Sequence, residues 1–170
     1  MTAMSFTNRV SQALHDEHGV TVALMERFEQ MLARHRPNDP PGTQDRAVAQ
    51  ILSELAVSLP GEVERHFAFE EAQLFPYLEK TGDQAIGAHL TDEHSTIRPI
   101  GSRVATLARE AAAQGFNATG WQEFRRLGQE LCDRLLMHVQ KEEMALLPLL
   151  EQTMDADTEA RLYQEYVENQ

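Results

Sequence analysis

His66-Phe67-Ala68-Phe69-Glu70-Glu71-Ala72-Gln73-Leu74-Phe75-Pro76-Tyr77-Leu78-Glu79 is answered, 72 residues later, by His138-Val139-Gln140-Lys141-Glu142-Glu143-Met144-Ala145-Leu146-Leu147-Pro148-Leu149-Leu150-Glu151. His, Glu, Glu, Leu, Pro, Leu and Glu recur in register. A shorter pair precedes each stretch: Leu14-His15-Asp16-Glu17-His18 and Leu90-Thr91-Asp92-Glu93-His94, 76 residues apart. The first half of the chain is therefore repeated in the second. Each half carries one lone His followed by a His-x-x-x-Glu pair. A four-residue step puts both members of such a pair on one helical face, about one turn apart.

Around these stretches the apolar period is helical almost throughout, and strand signals are nearly absent. A first helix is expected from about Phe6 to His35, ending at Arg36-Pro37-Asn38-Asp39-Pro40-Pro41-Gly42. A second runs from about Gln44 to Lys80, with Pro60-Gly61 marking a kink or short break. After Thr81-Gly82 a third covers about Asp83 to Gln114, and after a turn over Gly115–Gly120 a fourth covers about Trp121 to Thr153. Asp155 or Asp157 caps a short terminal helix through Tyr166. Pro76 and Pro148 are expected to kink or end their helices near one rim. Four long helices joined by short loops imply antiparallel neighbours, hence an all-α, up-down-up-down four-helix bundle. The bundle spans about 6–153 and a C-terminal extension covers 154–170, all in one domain over 1–170.

Polar residues interrupt the apolar stripes at matching places. His18 fills the row of Leu14, Val22, Met25, Phe28 and Leu32. His66 and Glu70 share a face with Val63, Phe67 and Leu74, and His94 shares one with Ile86, Leu90, Ile97 and Val104. His138 and Glu142 continue Phe124, Leu127, Leu131 and Leu135 and lead to Leu146 and Leu149. Tyr77, seven residues beyond Glu70, continues the equivalent face as a packing residue too distant to be a ligand. Six titratable groups are thus directed at the core. Burying each without a partner costs several kcal/mol, more in sum than the roughly 5–15 kcal/mol by which a domain is stable. Two divalent cations would pair them, and three ligands per half is what a symmetric two-metal site requires. Imidazole with carboxylate suits iron, manganese or zinc.

Composition narrows the partners. Hydrophobic residues make up 42% and charged residues 25%, both in the globular range. The formal net charge of -12 is spread along the chain and repels phosphate backbones and anionic lipids, so neither nucleic acid nor a membrane surface is expected as a partner. Cys132 is the only cysteine, which excludes an internal disulfide and a thiolate zinc cluster. Met1–Asn8 lacks a secretory pattern, and no apolar run reaches the ~18 residues of a membrane span, so a cytoplasmic protein is expected.

At the repeated motifs the sequence resembles the hemerythrin-like, HHE cation-binding family, from about Leu14 to Glu151. The resemblance implies a four-helix bundle holding two iron ions. His18, His66, His94 and His138 would be terminal ligands, and Glu70 and Glu142 would bridge, beside an oxo or hydroxo bridge. It also implies a protein that binds O2 or NO as a sensor, scavenger or iron- and gas-handling protein. The alternative is a di-iron enzyme that reduces peroxide or NO or repairs iron centres. Oxygen carriers of the family use five histidines, with a His-x-x-x-His pair on the third helix. Here Leu90 stands at that place, and His89, five residues before His94, points about 140° around the helix. His15, one turn from His18, is the first candidate for a fifth histidine and His89 the second.

Overall fold

A computed structural model describes residues 5–170; Met1 to Met4, part of the N-terminal stretch read above, lie outside the described residues. Helix α1 (Arg9–Arg34) starts at Asn8, whose side chain accepts from the Ser11 N–H at 3.0 Å. It ends at the extended His35, ahead of Pro37. The second bundle helix is capped by Asp45, which accepts from the Ala47 and Val48 N–H groups. It comprises α2 (Arg46–Ser58), a π-helical turn (Leu59–Val63), α3 (Glu64–Phe69), a second π-turn (Glu70–Leu74) and α4 (Phe75–Lys80). The third is α5 (Ala85–Gln114), stopped by Gly115, whose φ of 78° a residue with a side chain rarely adopts. Asn117 caps the fourth, made of α6 (Ala118–Lys141), a π-turn (Glu142–Leu146) and α7 (Leu147–Thr153). Asp155 caps α8 (Ala156–Glu168).

None of the three prolines ends its helix. Pro60 sits inside the first π-turn, and Pro76 and Pro148 follow the other two. Proline has no N–H to return to the preceding turn, and a widened turn takes up that missing bond. The widening closes on the repeated glutamates themselves: the Phe75 N–H bonds the Glu70 carbonyl and the Leu147 N–H bonds that of Glu142. One residue is thereby inserted into each helix, and the faces downstream rotate. Leu78 and Leu150 are fully buried, whereas Tyr77 and Leu149, which a regular α-helix would place on the stripe, are only half-buried.

In the bundle α1 packs on α2 and α6, and α5 packs on the same two, so sequential helices are neighbours. The core is divided in two. One apolar cluster, from Leu24 and Phe28 to Trp121 and Leu135, fills the end where the Trp121 indole donates to the Arg36 carbonyl at 2.8 Å. The other, from Val10 and Leu14 to Leu150 and Leu162, fills the end covered by α8. Among the buried residues, the histidines and glutamates of the motifs lie between the two clusters. No helix among the described residues is long and apolar enough to cross a membrane.

Close approach of α1 and α6, two adjacent walls of that polar layer, depends on Gly128. A Cβ there would lie 2.5 Å from Cζ of Phe28 and 3.1 Å from Cδ1 of Leu32. Phe28 is fully buried with its ring 5.2 Å from that of Phe124, so it has little room to yield. Overpacking costs about 1–3 kcal/mol, against about 1 kcal/mol gained in helix propensity. Gly128→Ala should therefore destabilise the fold by about 1 kcal/mol and at most about 2 kcal/mol. Urea unfolding checks this, and an unchanged or raised midpoint would show that the two helices part without cost.

Candidate metal centre

Each bundle helix sends one histidine inward, and the second and fourth add a glutamate one turn later, just where their π-turns begin. His18 is 4% exposed, His66 7%, His138 1%, and His94, Glu70 and Glu142 are 0%. One ligand atom each from Glu70, His94, His138 and Glu142 lie within 4.8 Å of one another, and so do those of His18, His66 and Glu142. Glu142 belongs to both groups. Its Oε2 lies 2.7 Å from His18 Nε2 and 3.3 Å from His66 Nε2, while Oε1 lies 2.6 Å from His138 Nε2. Oε1 of Glu70 is 3.3 Å from His66 Nε2 and 3.4 Å from His94 Nε2. The pairing follows the repeat: first-half histidines form one group, second-half histidines the other.

Several of these atoms lack a hydrogen bond. Both oxygens of Glu70 and Oε1 of Glu142 are buried without one, the 2.6 Å approach of His138 to the latter being out of alignment. The Nε2 atoms of His94 and His138 face each other at 3.1 Å, where at most one can donate. Buried carboxylate oxygens of this kind are costly unless a cation meets them. Four imidazoles and two carboxylates form a donor set suited to a borderline divalent metal such as iron, manganese or zinc. The residues fit a metal site.

Outside them runs a ring of carboxylates that the sequence reading did not single out. Glu17 on α1 accepts from Nδ1 of His66 on α3 at 2.7 Å. Glu93 on α5 accepts from Nδ1 of His138 on α6 at 2.8 Å. Glu143 accepts from Nδ1 of His18 at 2.7 Å, returning from the fourth helix to the first. Glu71, on the second helix, faces Nδ1 of His94 at 3.4 Å, outside hydrogen-bond geometry, and is gripped by Arg98 at 2.9 and 2.6 Å. Every helix thus carries a carboxylate aimed at the histidine of the next, and the sequence closes into a ring. An acceptor at Nδ1 fixes the ring orientation and leaves the Nε2 lone pair pointing inward, as metal-binding histidines require. The signal was available: Glu17 and Glu93, like Glu71 and Glu143, are repeat-related.

The outer carboxylates are themselves held, by Tyr166 at Glu17, Arg98 at Glu71, Lys141 at Glu93 and His15 at Glu143. His15 Nδ1 lies 2.8 Å from Glu143 and belongs to neither inner group. His89 is largely exposed, its Nε2 3.3 Å from Glu93, and it too stands outside them. Burial lowers the imidazole of His94, but the nearby carboxylates of Glu142 and Glu70 outweigh it and push it up to about 9. Burial likewise opposes, and the surrounding carboxylates overcome it, at His18 and at His66, which stands well above the usual range. Glu142, resisted by burial, is held well below the carboxylate range by the four histidines. The layer is electrostatically tight.

The four histidines differ in access. Phe67 stacks on His94 with ring centroids 3.8 Å apart and planes 10° apart, and meets His138 edge-on at 5.4 Å. Phe67 thus walls off His94. A cleft of about 400 Å3 between α1, the second bundle helix, α6 and the end of α8 is lined by the other three histidines, His18, His66 and His138.

The bundle and its buried His/Glu layer define a helical protein with a cation-binding core. It belongs to the hemerythrin family: the model of the hemerythrin HHE cation binding domain matches residues 9–150. No curated protein matches the chain significantly.

Proposed function

We propose that the six inner residues hold two iron ions and that the protein binds O2 or NO there, as a sensor, scavenger or gas-handling protein. The observation that carries this reading is the posture of Glu142, whose two oxygens face different histidine pairs. A carboxylate so placed would serve two cations rather than one, whereas Glu70 approaches His66 and His94 through a single oxygen. Two adjacent ferrous ions would supply up to two electrons and open coordination positions to a small diatomic ligand.

The rest is done by the chain. Glu17, Glu93 and Glu143 fix three histidine rings and their Nδ1 protons. Phe67 covers His94, and the cleft gives small molecules a way to His18, His66 and His138. Neither His15 nor His89 joins the inner groups, which supports a ligand set of two histidines per half. Such a symmetric site lacks the additional nitrogen associated with stable oxygen carriage in the family.

The reduced protein is therefore expected to react with both O2 and NO, and to oxidise within seconds to minutes of meeting O2 rather than release it. Stopped-flow optical spectra of the iron-loaded, reduced chain test this. No spectral change with either gas would overturn the reading. Repeated oxygenation with full recovery would make the protein a carrier, and continued consumption of NO or peroxide over many cycles would make it an enzyme.

A further inference from the structure

Helix α8 lies beyond the segment that matches the family, which ends at residue 150, yet it reaches the candidate centre. Its Tyr166 lines the cleft together with Glu17, His18 and His66. The Tyr166 hydroxyl donates to Oε1 of Glu17 at 2.8 Å, and Oε2 of the same carboxylate accepts from Nδ1 of His66 at 2.7 Å. One unbroken line of hydrogen bonds therefore joins the C-terminal helix to an inner histidine. The helix is docked firmly enough to hold that line. Leu162 is fully buried, Arg9 bonds Glu159 at 2.7 Å and lies 4.8 Å over the Tyr163 ring, and Tyr166 meets Phe69 edge-on at 5.5 Å. Burial and the Glu17 carboxylate push the Tyr166 phenol up, which keeps it a proton-bearing donor.

The other outer carboxylates are held from within the bundle, by Arg98, Lys141 and His15. Among the described residues only Glu17 is held by a residue of the extension, and Glu17 serves His66, one of the histidines that line the cleft. A short buried hydrogen bond to a carboxylate narrows its rotamers, and a fixed carboxylate narrows the ring it orients. The aromatic body of Tyr166 meanwhile occupies part of the passage.

We propose that Tyr166 is a positioning residue of the centre: its hydroxyl fixes Glu17 and through it His66, and its ring limits passage through the cleft that reaches His18, His66 and His138. This rests on the two-iron reading above. The α8 helix is on this account part of the site, and it gives the chain a means of tuning iron retention and ligand entry that the bundle alone lacks.

The test uses the full-length chain loaded with iron, with iron per chain measured first. Two rates follow: loss of ferrous iron to an excess of ferrozine, and association of azide with the ferric form, read in the visible spectrum. Removing a partner of a ligand-orienting group typically costs about 10–100-fold in metal affinity. Glu17→Ala should therefore speed iron loss by about 10-fold or more. Tyr166→Phe, one bond further out, should speed it by roughly 3-fold or more with azide association changed less than about twofold. Tyr166→Ala should add a rise of about 10-fold in azide association, because the passage opens. The double variant E17A/Y166F should lose iron no faster than E17A, since both act through one carboxylate. Effects of E17A and Y166F that multiply, or rates in Y166F and Y166A within about twofold of the unaltered chain, would overturn the role of Tyr166 while leaving the iron reading intact. A chain that holds no iron would overturn both. Should Y166A fail to fold, the cycle of E17A and Y166F decides.

Discussion

Glu142→Ala should strip the chain of both metals, leaving well under one iron per chain where the unaltered protein is expected to hold two. Among the described residues Glu142 alone is common to the two inner groups, with one oxygen toward His18 and His66 and the other toward His138. Its loss takes one oxygen donor from each position and the negative charge the two positions share. What remains is four imidazoles and a single carboxylate around two dications. A loss of at least ~100-fold in affinity at each position is expected, beyond the range typical of outer-shell partners. Glu142→Gln should do nearly as much harm, because the shape survives but the charge does not. Glu70→Ala is the informative contrast. Glu70 belongs to one group only, and its Oε1 approaches two histidines at 3.3 and 3.4 Å. That variant should retain about one iron per chain, held by the residues around Glu142. Metal analysis by plasma emission on each purified variant measures these ratios. Two irons per chain in E142A would refute the shared-ligand arrangement.

The parts of this architecture that the sequence discloses are those that repeat along one helix. His18, His94 and the two His-x-x-x-Glu pairs announce themselves as polar residues set in apolar rows, and duplication removes chance from the pattern. Helix ends are legible for the same local reason: Pro37, Asp45, Gly115 and Asp155 act within a few residues of where they stand. The π-turns are harder to read. Pro76 and Pro148 signal a broken hydrogen bond, but a kink, an end and an inserted residue all satisfy that signal. Burial of Leu78 in place of Tyr77, and of Leu150 in place of Leu149, is what distinguishes the third. The outer ring is hidden for a different reason. A glutamate beside His18 reads as a solvated helix face, and its partner, His66, is 49 residues away on another helix. Duplication of Glu17 in Glu93 and of Glu71 in Glu143 is the trace it leaves, one that also fits simple surface charge. Tyr166 has no repeat mate in either half, and only the docking of α8 through Leu162 brings it to Glu17.

Removing the metals should lower the melting temperature by about 10 °C or more, the largest change in stability expected from any treatment that leaves the sequence intact. A ligand that binds only the folded state stabilises it by about 4 kcal/mol at a thousandfold excess over its dissociation constant. Two ions therefore contribute several kcal/mol, and about 1 kcal/mol shifts the midpoint of a domain this size by roughly 2–4 °C. The structure explains why the folded chain gains so much from cations. Four imidazoles and two carboxylates occupy a buried layer between two apolar clusters, and both Glu70 oxygens there have no hydrogen-bond partner. No such layer forms in the unfolded chain, so the binding free energy is largely folding free energy. The histidines on opposing helices, 3.1 Å apart at His94 and His138, would draw four elements toward two ions. Without them the layer must hold together by imidazole–carboxylate pairs alone, and the two apolar clusters lose the bridge between them. The loss should be cooperative, with loaded and stripped protein each melting in one transition at well-separated temperatures. Calorimetry before and after dialysis against a chelator, followed by reloading with ferrous iron under anaerobic conditions, measures the shift and its reversal. A stripped protein that melts where the loaded one does would place any bound metal at the surface rather than in this layer.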